Sequence, residues 1–147
     1  MDLKTTLQSD LKDAMRQGDA TRKSTLRMAL SAIKLAEVEK GAHMDEGAYL
    51  AVIQKEIKSR REAIEDAQKA NRPELIAQAE EEIKVLQGYL PAALSQPELE
   101  ELARAAIQEA GASSIREMGM VMKLLVPRLQ SRATGDQASQ VVRKLLQ

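Results

Sequence analysis

The sequence contains no cysteine, tryptophan or phenylalanine among its 147 residues. The absence of cysteine excludes disulfide bonds, thiolate metal sites and cysteine nucleophiles. Tyr49 and Tyr89 are the only aromatic residues, so the chain has no platform on which single-stranded bases could stack. His43 is the only histidine, which excludes every mechanism that needs two imidazoles.

The sequence also lacks an excess of either charge, since 22 basic residues balance 22 acidic ones. Attraction to a nucleic acid or a membrane would therefore need a local patch of charge. The chain has no run of about 18 apolar residues, and residues 1–17 mix both charge signs without the apolar core of a signal peptide. We therefore expect a cytoplasmic protein that does not bind or span a membrane.

What the sequence does contain is apolar residues that recur with the helical period, which predicts an all-α protein. Residues that cap or open helices start each segment, and glycines end most of them. The predicted starts are Asp2, Asp19, Asp45, Pro73, Ser95, Ser114 and Thr134. The predicted ends include Gly18, Gly41, Asn71 and Gly111. Two starts, Ser95 with Glu98 and Ser114 with Glu117, have the spacing of a capping box.

A break in this pattern at Gly88-Tyr89-Leu90-Pro91 predicts a domain boundary, because proline forces the residue before it out of the helical region. Residues 1–90 would form an N-terminal bundle of four helices. Residues 91–147 would form a small domain of three helices. Pro127 should kink or shorten the end of the sixth helix.

The sequence indicates no catalytic residues, no metal site and no cofactor. His43 falls in a loop beside Gly41, where it is expected to be solvated and without a partner. A Ser–Lys pair stays open as a nucleophile, although no spacing supports one. The acidic run Glu80–Glu82 should splay across different helix faces, and the single glycines do not form a phosphate loop.

Two charged residues interrupt the apolar face of the third helix. At 100° per residue Arg60 lies at the centre of that face, with Glu56 one turn earlier at its edge. This placement favours a partly buried ion pair or an Arg60 side chain that reaches water along the groove. The alternative is that the bundle presents Arg60 to an anionic partner. Since Arg22 is close to the apolar face of the second helix and Glu37 faces inward, we predict an internal polar cluster containing Glu56, Arg60 and Arg22.

Basic residues of the sixth helix form the other candidate site. Arg116, Met120 and Lys123 share the face opposite its apolar stripe, and Arg128 and Arg132 follow. The plain interpretation is a solvated surface. The functional interpretation is that Arg116, Lys123, Arg128 and Arg132 bind nucleic-acid phosphates.

Five blocks of sequence, in their order and spacing, resemble the YqeY family over essentially the whole chain. These blocks are Lys58–Ile64, Asn71–Leu75, Tyr89–Pro91, Gly111–Ser114 and Met118–Met122. The C-terminal part of that family resembles the tail domain of the B subunit of glutamine-dependent Asp/Glu-tRNA amidotransferase, a helical appendage that contacts tRNA. The chain departs from the family pattern at Met120, where lysine is common, and at Ser131–Gly135.

The resemblance implies an all-helical protein in which a helical bundle precedes a tail-like three-helix domain. It also implies a noncatalytic, tRNA-associated accessory protein. Its partner would be tRNA or a protein of the tRNA aminoacylation or amidation machinery. Two alternatives are a component of a carbon–nitrogen ligase that uses glutamine as amide donor, and a protein–protein adaptor. The residues argue against the ligase as literal chemistry, because neither a glutamine-hydrolysing nucleophile nor an ATP loop is visible.

Overall fold

The computed structural model describes residues 2–41 and 44–147, and these ranges contain α-helices without any β-strand. The prediction of an all-α protein is therefore confirmed. The described ranges contain seven α-helices: α1 (Leu3–Gln17), α2 (Ala20–Lys40), α3 (Glu46–Lys69), α4 (Pro73–Gln87), α5 (Gln96–Ala110), α6 (Met118–Leu125) and α7 (Gly135–Leu146). Two short 3-10 helices, Ile115–Glu117 and Val126–Leu129, flank α6. No helix in these ranges is both long and apolar enough to cross a membrane.

Most helices start at the predicted caps. The side chains of Asp2, Asp19 and Asp45 accept hydrogen bonds from the backbone N–H three residues further on, at 2.7, 3.1 and 2.8 Å. Each bond satisfies one of the N–H groups that the first helical turn leaves without a partner. Ser95 and Glu98 form the predicted capping box at the start of α5.

Glycine and proline set the ends of several helices. Gly18 and Gly41 follow α1 and α2 with φ of 69° and 66°, a left-handed conformation that glycine adopts without steric cost. Pro73 is the first residue of α4, where its missing N–H removes no hydrogen bond. Pro127 lies in the 3-10 helix that follows the end of α6 at Leu125, so the predicted shortening is confirmed.

The start of α6 differs from the prediction, because the capping box at Ser114 does not form. The Ser114 side chain makes no capping hydrogen bond, and Glu117 instead accepts the backbone N–H of Ser113 at 3.1 Å. This hydrogen bond lowers the pKa of Glu117. The chain passes through a 3-10 turn there, and α6 begins only at Met118 and is 8 residues long.

The first of two compact units, Met1–Leu90, is built from α1 to α4. α1 packs against α2, α3 packs against α4, and α2 also contacts both α3 and α4. Its largest fully buried side chains are Leu7, Leu26, Ile33, Ile53 and Leu86. A spacing of four residues after Leu3, Leu7 and Leu11 predicts that Met15 is buried as well, but Met15 is 50% exposed and Ala14 is buried instead. Four residues turn about 40° further than one full rotation, so side chains spaced by four move gradually away from the buried face of a helix. Ala14, three residues after Leu11, lies back on that face.

The second unit, Pro91–Gln147, packs α5 against α6 and α7, and α6 against α7. Its fully buried residues are Ala103, Ala106, Val121, Leu125, Ala138 and Val142. The backbone N–H of Leu94 donates to the carbonyl of Arg132 at 2.9 Å and joins the two loops of this unit. The apolar stripe predicted for the sixth helix includes Ile115, but this residue is 44% exposed because it lies in the 3-10 turn before α6.

Candidate functional site

The Arg60 side chain is buried in the N-terminal unit, with 6% of the residue exposed. Its Nη1 donates to Glu56 Oε2 at 2.8 Å and to the Glu56 carbonyl at 3.1 Å. Its Nη2 lies 3.6 Å from the sulfur of Met28 on α2. The structure thus brings Glu56 and Arg60 together on the buried face of α3, at the spacing the sequence indicated.

A second carboxylate, that of Glu82 on α4, faces the same guanidinium. This contact was not predicted from the sequence. Arg60 Nε lies 3.7 Å from Glu82 Oε1. Arg60 Nε and Glu82 Oε2 are both buried and lack a hydrogen-bond partner. The inward position of Glu82 could have been predicted, because position 82 is three residues after Ala79 and four before Leu86, which are both buried. The acidic run splays as predicted, and one of its members therefore points inward.

Arg22 belongs to a different cluster. Its Nη2 lies 3.9 Å from Asp10 Oδ2, and the Tyr89 hydroxyl donates to the same Asp10 oxygen at 2.5 Å. Burial, followed by the hydrogen bond to Asp10, raises the pKa of Tyr89, and the Arg22 guanidinium acts in the opposite direction. The structure therefore divides the predicted polar cluster in two, with Glu56 and Arg60 in one part and Arg22 in the other.

Glu37 does face inward, where it connects α1, α2 and α3. It accepts from Lys4 Nζ at 2.9 Å and from the Tyr49 hydroxyl at 3.0 Å. The hydrogen bond to Glu37 raises the pKa of Lys4, and burial raises the pKa of Tyr49. Beside this network lies an open groove of about 560 Å³, lined by Lys4, Gln8, Leu30, Lys34, Glu37 and Val38.

Two of the four predicted phosphate-binding residues are engaged within the C-terminal unit. Arg128 Nη2 donates to the Glu109 carboxylate. Arg132 Nε donates to the Ala92 carbonyl at 2.8 Å, and its Nη2 lies 3.7 Å from Glu98. Each guanidinium thus donates one hydrogen bond within its own unit and lies close to a carboxylate.

The other two, Arg116 and Lys123, are exposed on the C-terminal unit. Within the part of the chain that the structure describes, neither forms an ion pair with a carboxylate. Met120, which lies between them in sequence, is 56% exposed. This segment therefore offers two free cations and an apolar side chain to solvent.

The structure adds little on the remaining predicted features. His43, predicted to lie in a solvated loop, is outside the described residues. Across residues 2–41 and 44–147, no group of three or more acidic or histidine side chains is arranged to hold a metal ion.

Comparison with known proteins places this helical arrangement in a family. The model of the Yqey-like protein family matches residues 4–146. A relative named altered inheritance of mitochondria protein 41, mitochondrial, from Pyrenophora tritici-repentis is 31% identical over 134 residues, which cover 89% of this chain and 73% of that protein. Proteins of the same name from Vanderwaltozyma polyspora and Lachancea thermotolerans are 39% and 40% identical over 85 residues.

Each of those two alignments covers 57% of this chain and 46% of the relative, so the chain spans about half the length of these proteins. The family match is much more extensive, because it runs from the first turn of α1 to the last residue of α7. The chain belongs to the YqeY-like family.

Proposed function

We propose that this protein is a noncatalytic accessory protein that contacts folded tRNA through its C-terminal unit. The observation that supports the proposal best is the difference among the four basic residues of the candidate site. Arg128 and Arg132 are engaged by groups of their own unit, whereas Arg116 and Lys123 are exposed and have no carboxylate partner. Exposed cations without a partner are the groups that phosphate binding requires.

The tyrosines favour a folded RNA over a single strand as the partner. Tyr49 is 3% exposed, and Tyr89 is partly buried with its hydroxyl bound to Asp10. Neither ring is available for stacking on an unpaired base, which is how single-stranded RNA is usually recognised. Contacts to phosphates and 2′-hydroxyls would instead recognise the shape of a folded RNA. The resemblance of the family's C-terminal part to the amidotransferase tail points to tRNA within that class.

Fluorescence anisotropy with a labelled, folded tRNA tests this proposal. Replacing Arg116 and Lys123 together by glutamine should weaken binding to all tRNAs alike. Because each phosphate contact contributes about −0.9 to the slope of log K against log[salt], the slope should become less negative by about 2. The matched control is Arg143→Gln with Lys144→Gln, two exposed basic residues on α7 of the same unit. Equal binding by the site variant and the wild type would contradict the proposal.

In our proposal, this chain does not itself catalyse amide transfer. A glutamine-dependent carbon–nitrogen ligase needs an activated nucleophile to release ammonia, and the sequence supplies no cysteine, a single histidine and no spacing that supports a Ser–Lys pair. An association with the tRNA aminoacylation or amidation machinery would therefore rest on binding. The cytoplasmic location also stays a prediction, which fractionation of cells carrying the tagged protein would check.

A protein–protein adaptor is the second candidate function. The observation that favours it is a set of exposed apolar side chains on α2, where Met28, Leu35 and Val38 are 53%, 60% and 69% exposed. Positions 28, 35 and 38 are spaced by seven and three residues, as in the a and d positions of a helix-packing seam. An adaptor would retain its partner when Arg116 and Lys123 are neutralised and lose it when these three residues become polar.

A further inference from the structure

Three basic residues follow one side of α2, and we call them the basic stripe: Lys23, Arg27 and Lys34. Their spacings of four and seven residues place them within about 40° of one another around the helix. At 1.5 Å per residue the stripe is about 16 Å long. Arg27 and Lys34 are exposed, and Lys23 is half-buried.

In the ranges that the structure describes, none of the three cations of the stripe forms an ion pair. The neighbouring carboxylate on the same helix, Glu37, is already bound by Lys4 and by Tyr49. A line of unpaired cations of this kind lowers the free energy of a bound polyanion, because neutralising phosphates releases their condensed counterions.

The groove beside the stripe combines charged, amide and apolar side chains. Lys34 belongs to both the stripe and the groove, whose lining also includes Leu30, the exposed Val38 and the Glu37 carboxylate that Lys4 and Tyr49 bind. Gln8 also lines the groove, and its amide can both donate and accept a hydrogen bond. A ribose 2′-hydroxyl has the same dual capacity, and it distinguishes RNA from DNA.

We propose that the basic stripe is a second contact for folded RNA, in which Lys23, Arg27 and Lys34 neutralise phosphates of one strand. The inference builds on the proposed tRNA association and adds an N-terminal surface to the C-terminal one.

An anionic membrane fits the stripe less well than RNA. Helices that lie in a membrane surface place large apolar side chains in the lipid, flanked by basic residues. On α2 the exposed Met28 and Leu35 lie about 100° around the helix from the basic stripe, whereas the exposed Val38 lies beside Lys34. The stripe is thus flanked by a single exposed apolar side chain of α2, fewer than a helix in a membrane surface buries in lipid.

The test compares the full chain with three variants in tRNA binding by anisotropy over a range of salt concentrations. The stripe variant is Lys23→Gln/Arg27→Gln/Lys34→Gln. Its matched control is Lys55→Gln/Arg61→Gln/Lys69→Gln, which removes the same charge from exposed positions on α3. The third variant is Arg116→Gln/Lys123→Gln, and circular dichroism checks that all three remain helical.

With contacts at both surfaces, five phosphates would be neutralised and the wild-type slope of log K against log[salt] would be about −4.5. The stripe variant should reduce the size of that slope by about 3, whereas the α3 control leaves it unchanged. A further, charge-preserving variant, Lys23→Arg/Lys34→Arg, should retain wild-type binding.

Several outcomes would overturn the inference. If the stripe variant and the α3 control behave alike, the stripe is a solvated surface. If only the Arg116/Lys123 variant loses affinity, the C-terminal proposal stands and the stripe proposal fails. If the wild type does not bind tRNA at low salt, both fail. If the stripe variant no longer binds phosphatidylglycerol vesicles while its tRNA binding is unchanged, the stripe binds membranes and not RNA.

Discussion

Arg60 on α3 lies 3.7 Å from Glu82 on α4, yet the facing Nε and the second oxygen of that carboxylate are buried without hydrogen-bond partners. The Nη1 of the same guanidinium donates to Glu56 Oε2 at 2.8 Å. One cation thus holds two carboxylates from two helices at the point where α2, α3 and α4 meet. Because a buried charge is costly when its partner is removed, Arg60 fixes the packing of these helices.

Replacing Arg60 by alanine should destabilise the N-terminal unit by about 3 kcal/mol, because both carboxylates are left partly buried without a cation. Urea unfolding followed by circular dichroism measures this free energy. The triple variant Arg60→Met/Glu56→Gln/Glu82→Gln should be more stable than Arg60→Ala, since it removes all three charges together. A change below about 0.5 kcal/mol for Arg60→Ala would show that the cluster does not stabilise the bundle.

Replacing Tyr89 by phenylalanine should cost about 1–2 kcal/mol, because the Asp10 carboxylate loses a hydrogen-bond donor in a partly buried place. The pH dependence gives a second readout. Burial raises the pKa of Tyr89 above its ordinary value of 10.0, so its contribution to stability is complete below pH 10 and is lost as the pH rises further.

The difference between the wild type and Tyr89→Phe isolates this contribution, because Lys4 and Tyr49 also have raised pKa values and titrate in both proteins. We expect the stability difference to be constant from pH 7 to pH 9 and to shrink above pH 10. A difference that stays constant through pH 11 would show that the Tyr89 hydroxyl is not held as the structure indicates.

Replacing Met120 by lysine should strengthen tRNA binding, because the exposed position lies between Arg116 and Lys123 in sequence. One additional phosphate contact would make the slope of log K against log[salt] steeper by about 1. Conversely, Lys123→Glu should weaken binding. Met120→Leu serves as the neutral control. Equal affinities of the lysine and leucine variants for tRNA would show that position 120 does not contact the RNA.

The purified chain should release no ammonia from glutamine above a buffer control, because the sequence offers no cysteine nucleophile and one histidine. A coupled glutamate dehydrogenase assay measures the ammonia. Release that persists through purification, and disappears in a point variant that still folds, would assign catalysis to the chain.

Local chemistry was sufficient to predict most of the helix boundaries. An aspartate before an apolar period, or a glycine after one, acts within a single turn, so Asp19 and Gly18 could be placed from the sequence. The failure at Ser114 has a local cause as well. Its neighbour Ser113 offers a backbone N–H to the same Glu117 carboxylate, and two competing donors cannot be ranked from spacing alone.

The candidate sites depended on contacts that spacing does not reveal. Arg60 could be placed on the buried face of α3 from its position, whereas its second carboxylate comes from α4. Arg128 meets Glu109 from 19 residues away, and Arg132 meets Ala92 from 40 residues away. Such partners follow from how the helices pack. The sequence therefore presented four equivalent basic residues where the structure distinguishes two pairs.

α6 carries Lys123 and directly follows the 3-10 turn that carries Arg116. With 8 residues, it is shorter than the 12 to 15 or so that an isolated helix needs to be even marginally stable in water. It persists because Val121 and Leu125 are buried in the core that α5 and α7 also form. In an excised peptide Arg116 and Lys123 would adopt many conformations. Ordering them on a ligand would then cost conformational entropy. Val142 packs in the same core. A substitution that disrupts this core would therefore change the spacing of Arg116 and Lys123 without altering either charge.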